Sequence, residues 1–470
     1  MSDNNTITQN NKNTVNAGRP ENKMGVVPIP KLLIGMSLPM MASMLVQACY
    51  NIVDSMFVAR LNEDALTAVS LAMPVQFLMI AVAGGTVVGV NSLLSRNLGE
   101  KNYEGANLAA RNAIFLAIIG TIVFAVIGGI FSHIFFTTQT DNQAIIDYGT
   151  EYLSIVMVFS FGIFMQFTFD RLLMSTGRTF YTMITQLTGA IINLIFDPIL
   201  IFGYFGFPKL GVAGAAIATV MGQIIGSIVS LILNIRKNHD ININMRHFRP
   251  HGQTIKTIYI VGFPSIIMQS ISSFMMLGMN SILMIFSSTA AAVFGIYFKL
   301  QSFIFMPIFG LNNGMIPIIA YNYGAGNKKR IMSTLKLSIL IAVGIMLIGL
   351  TIMQTCAGFL LTTLFKASDN MLQIGVPALR IISLSFTFAG YCIIVGSLFQ
   401  ALGNGVYTLI ISVIRQLVGI LPIAYIFASV FGLAYVWWSI PLAEILSLIF
   451  STILFRRIYV QKVKFLKPAF

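Results

Sequence analysis

Three side chains carry the oxygen atoms best suited to ion chemistry in this chain: Asp54, Asn193 and Asp197. Asp54 ends a polar series of Ser43, Gln47, Asn51 and Asp54, at steps of four, four and three residues. In a helix those steps put all four on one face. Gln186, Asn193 and Asp197 form a second series at steps of seven and four, which again share a helix face. Two carboxylates and an amide oxygen make a hard oxygen set that suits Na⁺. The same carboxylates can instead hold a proton. Both series lie in apolar stretches, where an ionised side chain costs about 2.5–3.5 kcal/mol if the stretch spans a bilayer. Of the 15 Asp and Glu residues, only Asp54, Asp197 and Glu444 fall well inside such stretches. That scarcity points to cation binding. A structural hydrogen-bond network between two helices is the other reading of the same spacing.

The remaining polar residues suggest a cavity and its supports. Gln47, Asn51 and Gln186 in the first half, and Gln269, Ser272, Asn280 and Gln301 in the second, are candidates to line it. Glu444 and Arg415 fall at similar depth and read as a structural ion pair, and Asp170 with Arg171 reads as another. Lys299 stands beside Gln301 with no partner that spacing identifies. His133, His239, His247 and His251 are too scattered for a proton relay, and Cys49, Cys356 and Cys392 have neither disulfide nor metal spacing and are expected to be buried and inert. Trp437 and Trp438 are expected to anchor at a membrane interface. The 26 Met and 37 Phe suit either a soft, adaptable cavity or lipid-facing packing. No Ser/His or Cys/His pair, no HExxH and no Walker loop stands in the chain, so catalytic residues, an organic cofactor and ATP-driven pumping are not expected.

The elements that position these residues are membrane helices. The chain has 470 residues, 56% hydrophobic and 9% charged, with a mean hydropathy of +0.84, against about 25% charged in a soluble domain. Apolar runs of spanning length predict helices near 32–58, 65–92, 108–132, 150–174, 180–204 and 211–235, then near 257–285, 290–319, 333–361, 376–400, 406–428 and 432–455. Of 29 Lys and Arg, 23 gather on the side of the N-terminus. Only Arg60, Lys209 and Lys366 fall near the opposite loops, while Lys299, Arg380 and Arg415 lie within helices. The positive-inside rule then places both termini in the cytoplasm of a cell-membrane protein. The net charge of +14 reads as topology and contact with anionic lipids. A nucleic-acid partner is not expected, because the basic residues are scattered among short loops. The protein is expected to act as a monomer.

The chain repeats itself. Shifted by 225 residues, Lys31 meets Lys256, Pro39 meets Pro264, Gln76 meets Gln301, Gly85 meets Gly310 and Gly89 meets Gly314. Asn97, Gly99 and Asn102 meet Asn322, Gly324 and Asn327. Two halves of six helices, with an even number in each, are parallel repeats about an axis along the membrane normal. The expected organisation is a tail over 1–30, a lobe over 31–235, a cytoplasmic linker over 236–256, a second lobe over 257–455 and a basic tail over 456–470. The fold class is an all-α polytopic membrane protein of about 12 helices in two pseudo-symmetric lobes.

Particular segments carry a family resemblance. YNIVDSMFVARLNEDALTAVSLAMP, SRNLGEKNYEGA, INLIFDPILIFG and KLGVAGAAIATVMGQ, with LGNG and FGLAYVWWSIPLAE in the second half, resemble the multidrug and toxic compound extrusion (MATE) transporters. The resemblance implies a cation-coupling site at Asp54, Asn193 and Asp197, driven by H⁺ or Na⁺, and export of cationic or amphipathic small molecules. The second half lacks the acids that some branches carry in helices seven and ten, which points toward the DNA-damage-inducible and Gram-positive branches. A lipid-linked oligosaccharide flippase of the same superfamily is the alternative. An acidic first lobe suits cationic cargo better than a pyrophosphate.

Overall fold

The structure is a computed structural model that describes residues 21–467, apart from the side chains of residues 51, 52, 55 and 59. The described residues are almost entirely helical. A short helix, α1 (Lys23–Val26), precedes α2 (Ile29–Ala59), α3 (Glu63–Gly99) and α4 (Tyr103–Gln139). The fourth span is broken into α5 (Gln143–Val158) and α6 (Phe161–Ser175), and α7 (Thr179–Phe202) and α8 (Val212–Lys237) complete the first lobe. The second lobe opens with α9 (Gly252–Met284), α10 (Ser288–Gly324) and α11 (Lys328–Phe359). Its fourth span is again broken, into α12 (Asp369–Ser383) and α13 (Phe386–Ala401). The last two spans are α14 (Gly405–Val413) continuing into α15 (Leu421–Val430), and α16 (Leu433–Val436) leading to α17 (Ser439–Ile458). Ten spans are long and apolar enough to cross a bilayer, and the two broken pairs, bent by 43° and 48°, bring the count to twelve among the described residues.

The repeat reaches down to single hydrogen bonds. Asn62 caps α3 by accepting from the Ala65 amide at 2.7 Å, and Ser287, at the equivalent place, accepts from Ala290 at 3.1 Å. Asn102 caps α4 through the Gly105 amide at 3.0 Å, and its equivalent Asn327 caps α11 through Arg330 at 3.2 Å. Each cap satisfies an amide that the first helical turn leaves unpaired. The turns after the fourth span use Gly177 (φ 84°) and Gly403 (φ 73°), in the left-handed region that favours glycine.

The lobes cross through their first two helices: α3 packs on α9, α10 packs on α2, and α3 meets α10. At the end bearing the basic loops the crossing is tight. A Cβ on Gly99 would lie 2.8 Å from the Tyr321 carbonyl carbon, and one on Gly324 would lie 3.0 Å from that of Arg96. These contacts are mutual images across the pseudo-axis. The N-terminal segment straps the same end. Asn22 Nδ2 donates to the Thr176 carbonyl of the first lobe at 3.2 Å. Arg330 Nη2 reaches across from the second lobe to the Met24 and Val27 carbonyls at 2.9 and 2.7 Å, and Met24 is fully buried. Residues 22–30 are thus ordered, not part of a loose tail. Residues 1–20 of the expected tail lie outside the described residues. At the other terminus, helix continues through Arg456 and Arg457 to Ile458 and a wide turn over Tyr459–Val463.

Candidate functional site: two cavities joined at an arginine

The two predicted polar faces meet. Ser43 Oγ on α2 donates to Gln186 Oε1 on α7, tying the stripes together. Farther along the same helices the carboxyl groups of Asp54 and Asp197 lie close enough for each to act on the other. Asn193, one turn before Asp197, sits beside it with its amide nitrogen 2.6 Å from Asp197 Oδ2. Its amide oxygen accepts from the Thr219 backbone N–H and hydroxyl, each at 3.0 Å. Asn193 and Asp197 are buried at 2% and 0% exposure. One oxygen on each acid, Asp54 Oδ1 and Asp197 Oδ1, is buried without a protein hydrogen-bond donor. Pro198 follows Asp197 and has no N–H, so the helix is locally weakened beside the acid and leaves the Leu194 carbonyl without its usual donor.

Ser43, Asp54, Gln186, Asn193 and Thr219 line a cavity of about 400 Å³, together with Tyr50, Gln76 and Tyr152, and Asp197 lies buried behind them. Two carboxyl groups this close repel unless a positive charge lies between them. A proton satisfies that requirement at once. A Na⁺ ion fits as well, because the free Asp oxygens supply hard ligands. Among the described residues no cluster of three or more His, Cys, Asp or Glu side chains is present to hold a transition metal.

A second cavity, of about 490 Å³, lies in the other lobe. Gln269, Ser272 and Gln301 line it, as do aromatic and thioether side chains such as Phe294, Phe305, Met268 and Met306. Gln47 and Gln186 line the first cavity. Arg415 Nη1 stands 3.7 Å from Glu444 Oε2 at the wall of the second cavity, with Glu444 at 5% and Arg415 at 28% side-chain exposure. Glu444 Oε1 has no hydrogen-bond partner, so the pair is loose.

Several expectations need correcting. Asp170 and Arg171 act on each other electrostatically but form no direct ion pair. Asp170 Oδ1 accepts from Thr185 at 2.5 Å and Ser230 at 2.8 Å, which fastens α6 to α7 and α8. Arg171 instead donates to Asn313 Oδ1 of the other lobe at 3.4 Å, because adjacent helical residues point about 100° apart. Asn280 lines neither cavity; it lies beyond the cavity-lining stretch of α9. The Asn51 side chain lies outside the described part of the structure. Of the three thiols only Cys392 is buried, while Cys49 is exposed and Cys356 half-buried. Trp437 is a core residue at 2% exposure, and only Trp438, at 39%, is placed as an anchor would be. Lys299 is exposed, and none of the ion pairs among the described residues includes it.

Sequence reasoning missed Tyr50, Thr219, Arg171 and Asn313. Tyr50 stands four residues before Asp54, a spacing that carried the signal had aromatic hydroxyls been counted as polar. Thr219 sits among Ala and Val in α8, where nothing local marks it.

Comparison with known proteins agrees with this architecture. The MatE family pattern matches residues 39–199 and 264–426, once in each lobe. The multidrug export protein MepA of Staphylococcus haemolyticus is 28% identical over 415 residues, covering 88% of this chain and 90% of that protein. A crystal structure of a MATE in complex with MaL6 superposes with a TM-score of 0.89 at 25% identity, covering 95% of this chain and 100% of the other. The outward-facing conformation of a multidrug resistance MATE family transporter of the MOP superfamily gives 0.88 at 26% identity, covering 95% and 99%.

Proposed function

This chain belongs to the MatE family of membrane transporters, and on that premise we propose that it is a secondary antiporter exporting cationic or amphipathic small molecules. The return flow is an inward-moving cation, H⁺ or Na⁺, and the two lobes alternate access to opposite faces of the cell membrane. The observation that carries this reading is that Asp54, in the wall of the first-lobe cavity, is backed by the fully buried Asp197 with which its charge interacts. While that pair carries negative charge it attracts positive cargo. An entering cation neutralises it and removes the attraction. Cation and cargo therefore bias the same two-state structure in opposite senses, which is the thermodynamic requirement for exchange. Asn193, steadied by Thr219, donates to Asp197 and holds its carboxyl in place. The similarity to a named multidrug exporter over most of both chains supports the choice of cargo. Both termini are cytoplasmic in this reading, and one chain, which contains both lobes, suffices.

The deciding measurement is ethidium efflux from vesicles containing the protein, with either a proton or a Na⁺ gradient imposed. Efflux that follows one gradient identifies the coupling ion. Efflux indifferent to both removes the antiport mechanism.

A further inference from the structure

Building on that transport reading, we propose that Arg171 receives a negatively charged group of the cargo, so that the transporter prefers zwitterionic amphiphiles to their purely cationic analogues. Arg171 lies on α6 and lines both cavities; Asn313, from α10 of the other lobe, also lines both. It therefore borders both cavities, where a cargo molecule reaching from one toward the other would meet it. The only side-chain hydrogen bond formed by its guanidinium among the described residues is the 3.4 Å contact with the neutral Asn313 amide. The ion pairs among the described residues are Arg96–Glu100, Arg178–Asp240 and Arg415–Glu444, and none of them includes Arg171. Its sequence neighbour Asp170 gives Oδ1 to Thr185 and Ser230.

A guanidinium presents five N–H donors in a planar fork. Asp170, the acid that acts on Arg171 electrostatically, makes no direct ion pair with it. Holding a guanidinium away from bulk water without a directly paired anion is costly, and a carboxylate matches the fork in bidentate fashion. The other cavity cation, Arg415, already faces Glu444 at 3.7 Å. Asp54 lines the first cavity, with Asp197 buried behind it. Cargo with a cationic centre toward the acids and a carboxylate toward Arg171 would match both poles. Cargo with a second positive charge at the junction would be repelled.

The test compares two dyes that differ by one group. Rhodamine 110 carries a free carboxylate, and rhodamine 123 is its methyl ester. Binding of each to the purified full-length protein in lipid nanodiscs is measured by fluorescence polarisation, and the readout is the ratio of the two dissociation constants. The wild type should favour rhodamine 110 by about tenfold, the worth of a charge-assisted hydrogen bond. Arg171→Gln should bring the ratio to about one. Arg171→Lys should keep part of the preference, since it retains the charge without the fork. If Arg171 only supports the fold, Arg171→Gln weakens both dyes alike and the ratio does not move, which overturns the proposal. A wild-type ratio of one, or a preference for the ester, also overturns it and needs no variant to fold. Failure of the transport reading is separately visible: ethidium efflux from wild-type vesicles would then be absent, whatever the dye ratio.

Discussion

Replacing Gly99 or Gly324 by alanine should loosen the end of the molecule that bears the basic loops. A Cβ at Gly99 would sit 2.8 Å from the Tyr321 carbonyl carbon and 3.0 Å from the Ala325 nitrogen. The Tyr321 carbonyl oxygen lies closer still, and with carbon atoms packing at about 3.5–4.0 Å, α3 and α10 must part by more than about 1 Å at this point. The obstacle is backbone, which cannot swing aside as a side-chain tip can. Overpacking of this kind costs about 1–3 kcal/mol, a factor of about 5–150 in the ratio of closed to open states. Because each glycine meets the other's helix, one separation relieves both, and Gly99→Ala with Gly324→Ala should cost less than the sum of the singles. Spin labels at Glu104 and Lys329, equivalent residues 225 apart and both exposed, would report the gap by double electron–electron resonance. The labels require replacement of Cys49, Cys356 and Cys392. Each single variant should shift the distance distribution to longer values and slow efflux. Unchanged distances with wild-type efflux in both variants would refute the view that this crossing is the closure of the cytoplasmic side.

The other expectations concern the acids and the topology. Asp197→Asn and Asp54→Asn should each insert normally yet lose ethidium efflux, since an amide cannot cycle its charge, and wild-type efflux from both would make these acids structural. Asn193→Ala should weaken coupling less, because water can replace one neutral hydrogen-bond donor to Asp197. Glu444→Gln leaves Arg415 uncompensated and should cost about 3 kcal/mol, the low end for a buried pair, given the 3.7 Å separation and the partial exposure of Arg415. The melting temperature in detergent measures it, and normal stability with loss of one class of cationic drug would place Glu444 in the binding site. A cysteine at Phe205, which is 89% exposed, should react with an impermeant thiol reagent from outside cells, and one at Glu104 should not. The opposite pattern would invert the topology.

The helices were legible because the bilayer imposes length and apolarity on every span, so composition alone locates them. The facing of α2 and α7 was legible for a similar reason: a polar stripe in an apolar helix has few places to point except at another. What the sequence could not give was direction within a polar pair. Asp170 and Arg171 are adjacent and opposite in charge, which suggests mutual neutralisation. In the fold they point to different neighbours, Thr185 and Ser230 for one and Asn313 for the other. Trp437 likewise has an anchor's position along the helix, but its face is set by packing, and it is buried. The limit was also one of distance. Asn313 and Arg171 are 142 residues apart, and no local periodicity connects them.

The repeat itself separates scaffold from chemistry. Positions that close the lobes on each other keep their residue type across the 225-residue shift: Gly85 and Gly310, Gly89 and Gly314, Gly99 and Gly324, with the caps Asn102 and Asn327. Each lies where backbones touch or a helix begins, so geometry common to both lobes demands the same residue. The cavity walls show the opposite pattern. The residue equivalent to Asp54 is Met279, which is fully buried, so no second acid stands at that place on α9. On the shift of 226 that pairs Gly177 with Gly403, the equivalent of Arg171 is Ser397, a neutral residue lining the second cavity. One lobe therefore carries both the acid pair and the junction guanidinium, while the other offers amides, hydroxyls, aromatics and a largely compensated ion pair. On the proposed mechanism, a symmetric frame would let the lobes rock as equivalents, while unequal walls would make the first lobe answer to charge and leave the second to hold the apolar bulk of the cargo.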